Sequence, residues 1–149
     1  MFNKILVPVD LSTDDARENA IKNTTKKLCQ TANDLAVKYA GEIRLMSVIP
    51  DYGMPLVASY FPDDAQDKLK QEMMQKLEKL AKDYFNVKLS IHLDQGKRIR
   101  EVLNEIENYQ PDLVMIGCRP KQLRGGSHIL GSFASGISNR ASCSVMIVR

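Results

Sequence analysis

Short apolar runs alternate along this chain with longer segments in which apolar residues recur at helical spacing. The first run, KILVPVD from Lys4 to Asp10, is apolar between polar ends and predicts a strand covered on both faces. Ser12 followed by Asp15 predicts a helix start, the acid favouring the exposed first-turn amides. From there Ala16, Ala20, Thr24, Leu28, Ala32, Leu35, Ala36 and Tyr39 keep a helical period, and Gly41 is the expected stop. A second strand is expected over Ile43 to Ile49. The segment DYGMPLVASYFPDD, Asp51 to Asp64, carries prolines, a glycine and aromatics and predicts an irregular loop, either a flap over a site or a plain surface excursion.

Leu69, Met73, Leu77, Leu80, Ala81 and Tyr84 mark one side of a helix near Ala65 to Phe85, with its methionines as core filler. Val87 to Gly96 predicts a third strand. KRIREVLNEIENY predicts a third helix with Ile99, Val102, Leu103 and Ile106 inward. Pro111 to Gly117 is the expected fourth strand, Ser132 to about Arg140 a fourth helix, and Ser144 to Arg149 a fifth strand. Strands alternating with helices in this order imply an α/β fold, a parallel sheet covered on both faces with right-handed crossovers. Ligands of such sheets sit beyond the carboxyl ends of the strands, where neighbouring strands diverge. Strands one and four end in Asp10 and Gly117, which locates the candidate site.

Composition narrows the classes. A 44% apolar and 26% charged chain of 149 residues suits one soluble globular domain over 1–149. No apolar stretch reaches the length of a bilayer span, so no membrane partner is expected. The opening MFNKILVPVD lacks a signal-peptide design, and the chain is expected to begin at Met1 and to stay in the cytoplasm. With a net charge of +3 spread among acids, no nucleic-acid partner is expected. Cys29, Cys118 and Cys143 are too widely spaced for a disulfide framework or a paired metal site and read as packing residues.

Between strands four and five lies GCRPKQLRGGSHILGSF, rich in glycine and cations. Gly131 and Ser132 open the fourth helix, and unpaired amides at a helix start welcome an anion. Arg119, Lys121 and Arg124 lie just upstream, and Gly125 and Gly126 make the loop pliable. The composition suits a phosphate-binding loop; the plainer reading is that Ser132 caps a helix and the cations are solvated. No Walker A sequence and no GxGxxG after the first strand is present. Asp10 either accepts hydrogen bonds from a ribose or base or caps the first helix. His92 and His128 are isolated, no Ser/His/Asp or Cys/His set is visible, and no catalytic or metal-ligating residues are assigned.

KILVPVDLS, LMSVIPD, DLVMIGCR, LGSFAS and CSVMIVR together resemble the universal stress proteins over nearly the whole chain, most closely the enterobacterial F and G branch. The resemblance implies a single-domain Rossmann-like sandwich of the adenine nucleotide alpha hydrolase-like type, a five-stranded parallel sheet with four helices on two faces. It implies an adenine nucleotide as ligand: ATP, with AMP or ADP as alternatives and Mg2+ as a possible companion. Carried over by position, Pro8, Val9 and Asp10 border base and ribose, and Val48 packs against adenine. Met115 and Ile116 form the floor, and Gly117 passes close to the ribose. Arg119, Gly131, Ser132 and Phe133 hold the phosphates, Phe133 through its backbone amide. The loop departs from the family's pattern of G-x-x-G, nine residues, then G-S or G-T: Gly117 fits, Pro120 takes the second glycine's place, and Gly131-Ser132 comes one residue late.

The resemblance also implies a homodimer through the last strand, Val145 to Val148, whose apolar residues would invite pairing at a sheet edge. A cytoplasmic nucleotide-binding protein of stress response or signalling is the leading expectation, with at most slow ATP hydrolysis or self-phosphorylation. The alternative is a nucleotide-independent dimeric interaction module of the same family. An adenylate-forming or pyrophosphatase enzyme fits less well, because VDLSTDDA after strand one lacks a serine- and glycine-rich phosphate loop.

Overall fold

The computed structural model describes residues 1–11, 18–51, 63–118, 121–122 and 128–149. In chain order these form β1 (Lys4–Pro8), α1 (Glu18–Tyr39), β2 (Glu42–Pro50), α2 (Asp63–Tyr84), β3 (Leu89–Gly96), α3 (Arg98–Tyr109) and β4 (Leu113–Gly117). Then come β5 (Lys121–Gln122), β6 (His128–Ile129), α4 (Ser132–Ser138) and β7 (Ser144–Val148). Five strands make one sheet in the order β3-β2-β1-β4-β7, and every pairing in it is parallel. The expected α/β class, with five parallel strands and helices on both faces, is the one adopted.

Strand alternation sends residues to two cores. Ile5, Val7, Ile43, Leu45, Leu113 and Met115 pack with Leu28, Ala32 and Ala36 of α1 and Leu77 of α2. Leu6, Met46, Val48, Val114 and Ile116 pack with Val102, Ile106 and Tyr109 of α3 and Ala134 and Ile137 of α4. The central strand β1 is buried from Ile5 to Pro8, which is why its sequence runs apolar without alternation. The chain leaves β1 toward β2 through α1 and returns from β3 through α3 to β4 on the other side of β1. The crevice between the carboxyl ends of β1 and β4 is therefore the switch point of the sheet.

Three local details differ from expectation. A loop was expected throughout the glycine-rich segment, yet Lys121–Gln122 and His128–Ile129 pair as a short antiparallel ladder. The left-handed residue after α1 is Ala40, at φ 52°, rather than Gly41. Gly41 serves close approach instead: its N–H donates to the Ala36 carbonyl at 2.9 Å, and a Cβ there would run into the Phe2 carbonyl oxygen. Helix α2 begins at Asp63, two residues earlier than read from its apolar period. The expected helix start at Ser12 and Asp15, and residues 52–62 of the expected irregular loop, lie outside the described residues.

Candidate functional site

At the mouth of the crevice β1 passes into Asp10. The Val9 N–H donates to the Met46 carbonyl at 2.8 Å, and the Ser47 hydroxyl donates to the Val9 carbonyl at 2.8 Å. Ser47 is buried, so this bond satisfies a hydroxyl that could not reach water. Together the two bonds tie the end of β1 to β2 and direct the chain out at Asp10. Pro8 and Val9 are buried below it.

Arg98, the first residue of α3, meets Asp10 here. Its Nη1 donates to Asp10 Oδ2 at 3.1 Å, with both side chains about one-third exposed, 35% and 38%. The guanidinium carbon also stands 3.8 Å from the centre of the Phe133 ring, on α4. Partial burial pushes the Arg98 pKa below its ordinary value, and the Asp10 carboxylate acts in the opposite direction. Three elements that are remote in sequence thus converge: the end of β1, the start of α3 and the start of α4.

A glycine on α4 permits this convergence. A Cβ on Gly136 would lie 2.9 Å from Ile99 Cδ1 and 3.3 Å from Arg140 Nη2. With no side chain there, α3 brings Ile99 against α4, which sets Arg98 beside Phe133.

The structure divides the apolar site candidates between the two faces. Val48 and Ile116 belong to the core beneath α3 and α4, and Phe133 packs against that core. Val9 and Met115 turn the other way, into the core beneath α1 and α2. Gly117, at the carboxyl end of β4, lies close under α1: a Cβ there would sit 3.0 Å from Thr24 Cγ2.

Gly131 is the N-cap of α4 in ordinary extended geometry, φ −62° and ψ 162°, and a Cβ on it would meet no described atom within 4 Å. Ser132 is exposed and is the first residue of the helix, one position after the N-cap. Arg119, Pro120 and Arg124 lie outside the described residues, and of Lys121 and His128 the structure describes the backbone. Among the described residues no three His, Cys, Asp or Glu side chains are grouped to hold a metal ion.

Arg98 is not among the residues the sequence marks for the site, where KRIREVLNEIENY predicts a helix with Ile99, Val102, Leu103 and Ile106 inward. A signal was present: Lys97, Arg98 and Arg100 crowd cations at a helix start, where the helix dipole disfavours positive charge. His92 lies on β3 beside two carboxylates, its Nε2 3.5 Å from Asp94 Oδ2 and 3.4 Å from Glu105 Oε2.

Comparison with known proteins settles the family. The model of the universal stress protein family matches residues 1–149. The chain belongs to this family. Among curated relatives, Universal stress protein G of Salmonella typhimurium is 25% identical to it, with the whole of both chains covered. Hypothetical protein MJ0577, solved as a test case of structural genomics, superposes with a TM-score of 0.76 at 21% identity, covering 99% of this universal stress protein and 96% of that chain. Two more structures share the fold and were solved with nucleotides. One is a universal stress protein in complex with cAMP, with a TM-score of 0.65 at 14% identity, covering 99% of this chain and 97% of that one. The other, from Archaeoglobus fulgidus in complex with dAMP, has a TM-score of 0.63 at 17% identity, covering 99% and 98%. No helix among the described residues of this universal stress protein is long and apolar enough to cross a membrane.

Proposed function

We propose that this universal stress protein binds an adenine nucleotide at the carboxyl ends of β1 and β4, with ATP as the cellular ligand, and acts in stress response or signalling in the cytoplasm. The observation that carries this reading is the Asp10 carboxylate, held at the switch point by the β1–β2 bonds, with the Val48, Ile116 and Phe133 core on one flank. A carboxylate there can accept hydrogen bonds from ribose hydroxyls, while an apolar floor suits a purine ring. No described atom lies within 4 Å of a Cβ placed on Gly131, which leaves the backbone there approachable by a phosphate as far as the described residues go. The complexes of two relatives with cAMP and dAMP support the same ligand class.

In this reading Pro8, Val9 and Asp10 border base and ribose, Val48 packs against adenine, Met115 and Ile116 form the floor, Gly117 passes close to the ribose, and Arg119, Gly131, Ser132 and the Phe133 backbone amide hold the phosphates. An accompanying Mg2+ would rest mainly on the phosphate oxygens. The whole of residues 1–149 acts as one domain, and the protein forms a homodimer through β7. Support for the dimer comes from the sheet order, in which β7 is an edge strand beside β4 with Val145, Met146 and Ile147 half-buried.

The test is to purify the protein without added nucleotide, denature it and identify any released ligand by mass spectrometry, then titrate ATP, ADP and AMP by calorimetry. Adenine nucleotide near one per subunit, with affinity lost in Asp10→Asn, supports the reading. An empty protein that shows no thermal shift with millimolar ATP overturns it and favours the nucleotide-independent interaction module.

A further inference from the structure

Arg98 occupies an unfavourable place for a cation. It is the first residue of α3, where the exposed amides already present partial positive charge. It is also partly withdrawn from water, at 35% exposure. Two contacts compensate: the hydrogen bond from Nη1 to Asp10 Oδ2 at 3.1 Å and the Phe133 ring 3.8 Å from the guanidinium carbon. A guanidinium carries five N–H donors. Among the described residues Asp10 is its one hydrogen-bonded acceptor. The remaining donors lie at the same mouth of the crevice, so the group can bind a second anion without leaving the Phe133 ring.

We propose that Arg98 sets the selectivity of the site for anionic over neutral ligands, nucleotide over nucleoside, by holding the Asp10 carboxylate until a ligand phosphate replaces it. The proposal rests on the nucleotide reading above and adds the residue that reads the ligand's charge. A ribose hydroxyl that takes Asp10 Oδ2 competes with Arg98 for that oxygen. A neutral nucleoside that takes Asp10 leaves a partly desolvated cation without its counter-ion, which is costly. A nucleotide brings a phosphate to satisfy the guanidinium, and charge-assisted hydrogen bonds to arginine are among the stronger ones available. Asp10 and Arg98 thus act as a pair that gives way readily to one ligand class.

The test compares adenosine with AMP by calorimetry in the wild-type protein, Arg98→Met and Arg98→Lys. Methionine keeps much of the stem and removes the charge; lysine keeps the charge and loses the planar fork. The wild-type protein should favour AMP over adenosine, and Arg98→Met should reduce that preference on the order of tenfold or more, through weaker AMP binding and unchanged or tighter adenosine binding. Arg98→Lys should retain most of the preference. Should Arg98→Met fail to fold, Arg98→Gln, which keeps a planar head over Phe133 without the charge, makes the same comparison. An unchanged AMP-to-adenosine ratio in the folded uncharged variant, with AMP still bound, overturns the role of Arg98 and leaves the nucleotide reading standing. If the wild-type protein binds neither these ligands nor ATP, the nucleotide reading falls and this assignment falls with it.

Discussion

Arg44 and Glu105 meet at 2.6 Å, Nη1 donating to Oε1, on the face of the sheet that α3 covers. The Glu105 side chain is 4% exposed, and its other oxygen faces His92 Nε2 at 3.4 Å. Arg44 also donates from Nε to Ser90 Oγ at 3.1 Å and lies 4.0 Å above the Tyr109 ring. Side chains of β2, β3 and α3 are therefore joined by one polar cluster beside an otherwise apolar core.

Removing the acid from that cluster should be costly, because a partly buried guanidinium would lose its counter-ion. Glu105→Ala should lower stability by about 2–4 kcal/mol. Urea unfolding of the variant and of Arg44→Met, with the double variant to close the cycle, measures the coupling. A loss under about 0.5 kcal/mol would place Glu105 among ordinary surface positions.

Gly41 should tolerate no side chain, despite adopting a backbone that other residues can reach. A methyl group there collides with the Phe2 carbonyl, a backbone atom that cannot rotate away. Gly41→Ala should cost about 1–3 kcal/mol in urea unfolding, the usual range of overpacking. Stability equal to wild type would show that the segment before β1 shifts freely.

Gly131 makes the opposite case. Its φ of −62° suits any residue and the space around it is open to the described atoms. Gly131→Val should fold with a melting temperature within a few degrees of wild type and keep the same oligomeric state, yet lose ATP affinity by about tenfold or more. Retained affinity would move the phosphate site away from α4.

Cys29 ties stability to alkaline pH. Burial pushes its thiol up from 9.0 to about 12. The unfolded thiol ionises near 9.0 while the folded one stays protonated, so its contribution is full below 9.0 and is lost as pH rises toward 12. Tyr109 adds to the same trend, its phenol raised first by burial and then by Glu42. Unfolding free energies across this window should fall by up to about 1.4 kcal/mol per pH unit from Cys29 alone. Cys29→Ala should flatten the slope; an unchanged slope would assign the loss to other groups.

Strand and helix order was legible because both kinds of element write their burial into short-range spacing. The run ILVP of β1 lies in the middle of the sheet, and Leu28, Ala32 and Ala36 of α1 and Val102 and Ile106 of α3 enter the two cores. Asp10 and Gly117 marked the switch point, since the ends of parallel strands follow from strand order alone. Finer points were less legible. A two-residue ladder such as β5–β6 is too short to show periodicity, and whether Ala40 or Gly41 takes the left-handed turn depends on what packs beside each.

The sequence by itself determined the layers, the parallel order and the end of the sheet where a ligand belongs, since each depends on local patterning or on connection rules. Tertiary structure alone decided which side chains meet there. Asp10 and Arg98 are separated by 88 positions and come together because β1 and the start of α3 finish at the same edge. Val48 and Ile116 share a face while Met115 turns to the other, because neighbouring residues on a strand point to opposite sides. The placement of Arg98 over Phe133 depends on Ile99 settling against a glycine at 136. Spacing along one chain carries no record of such a contact between two helices, because it depends on how closely their surfaces approach.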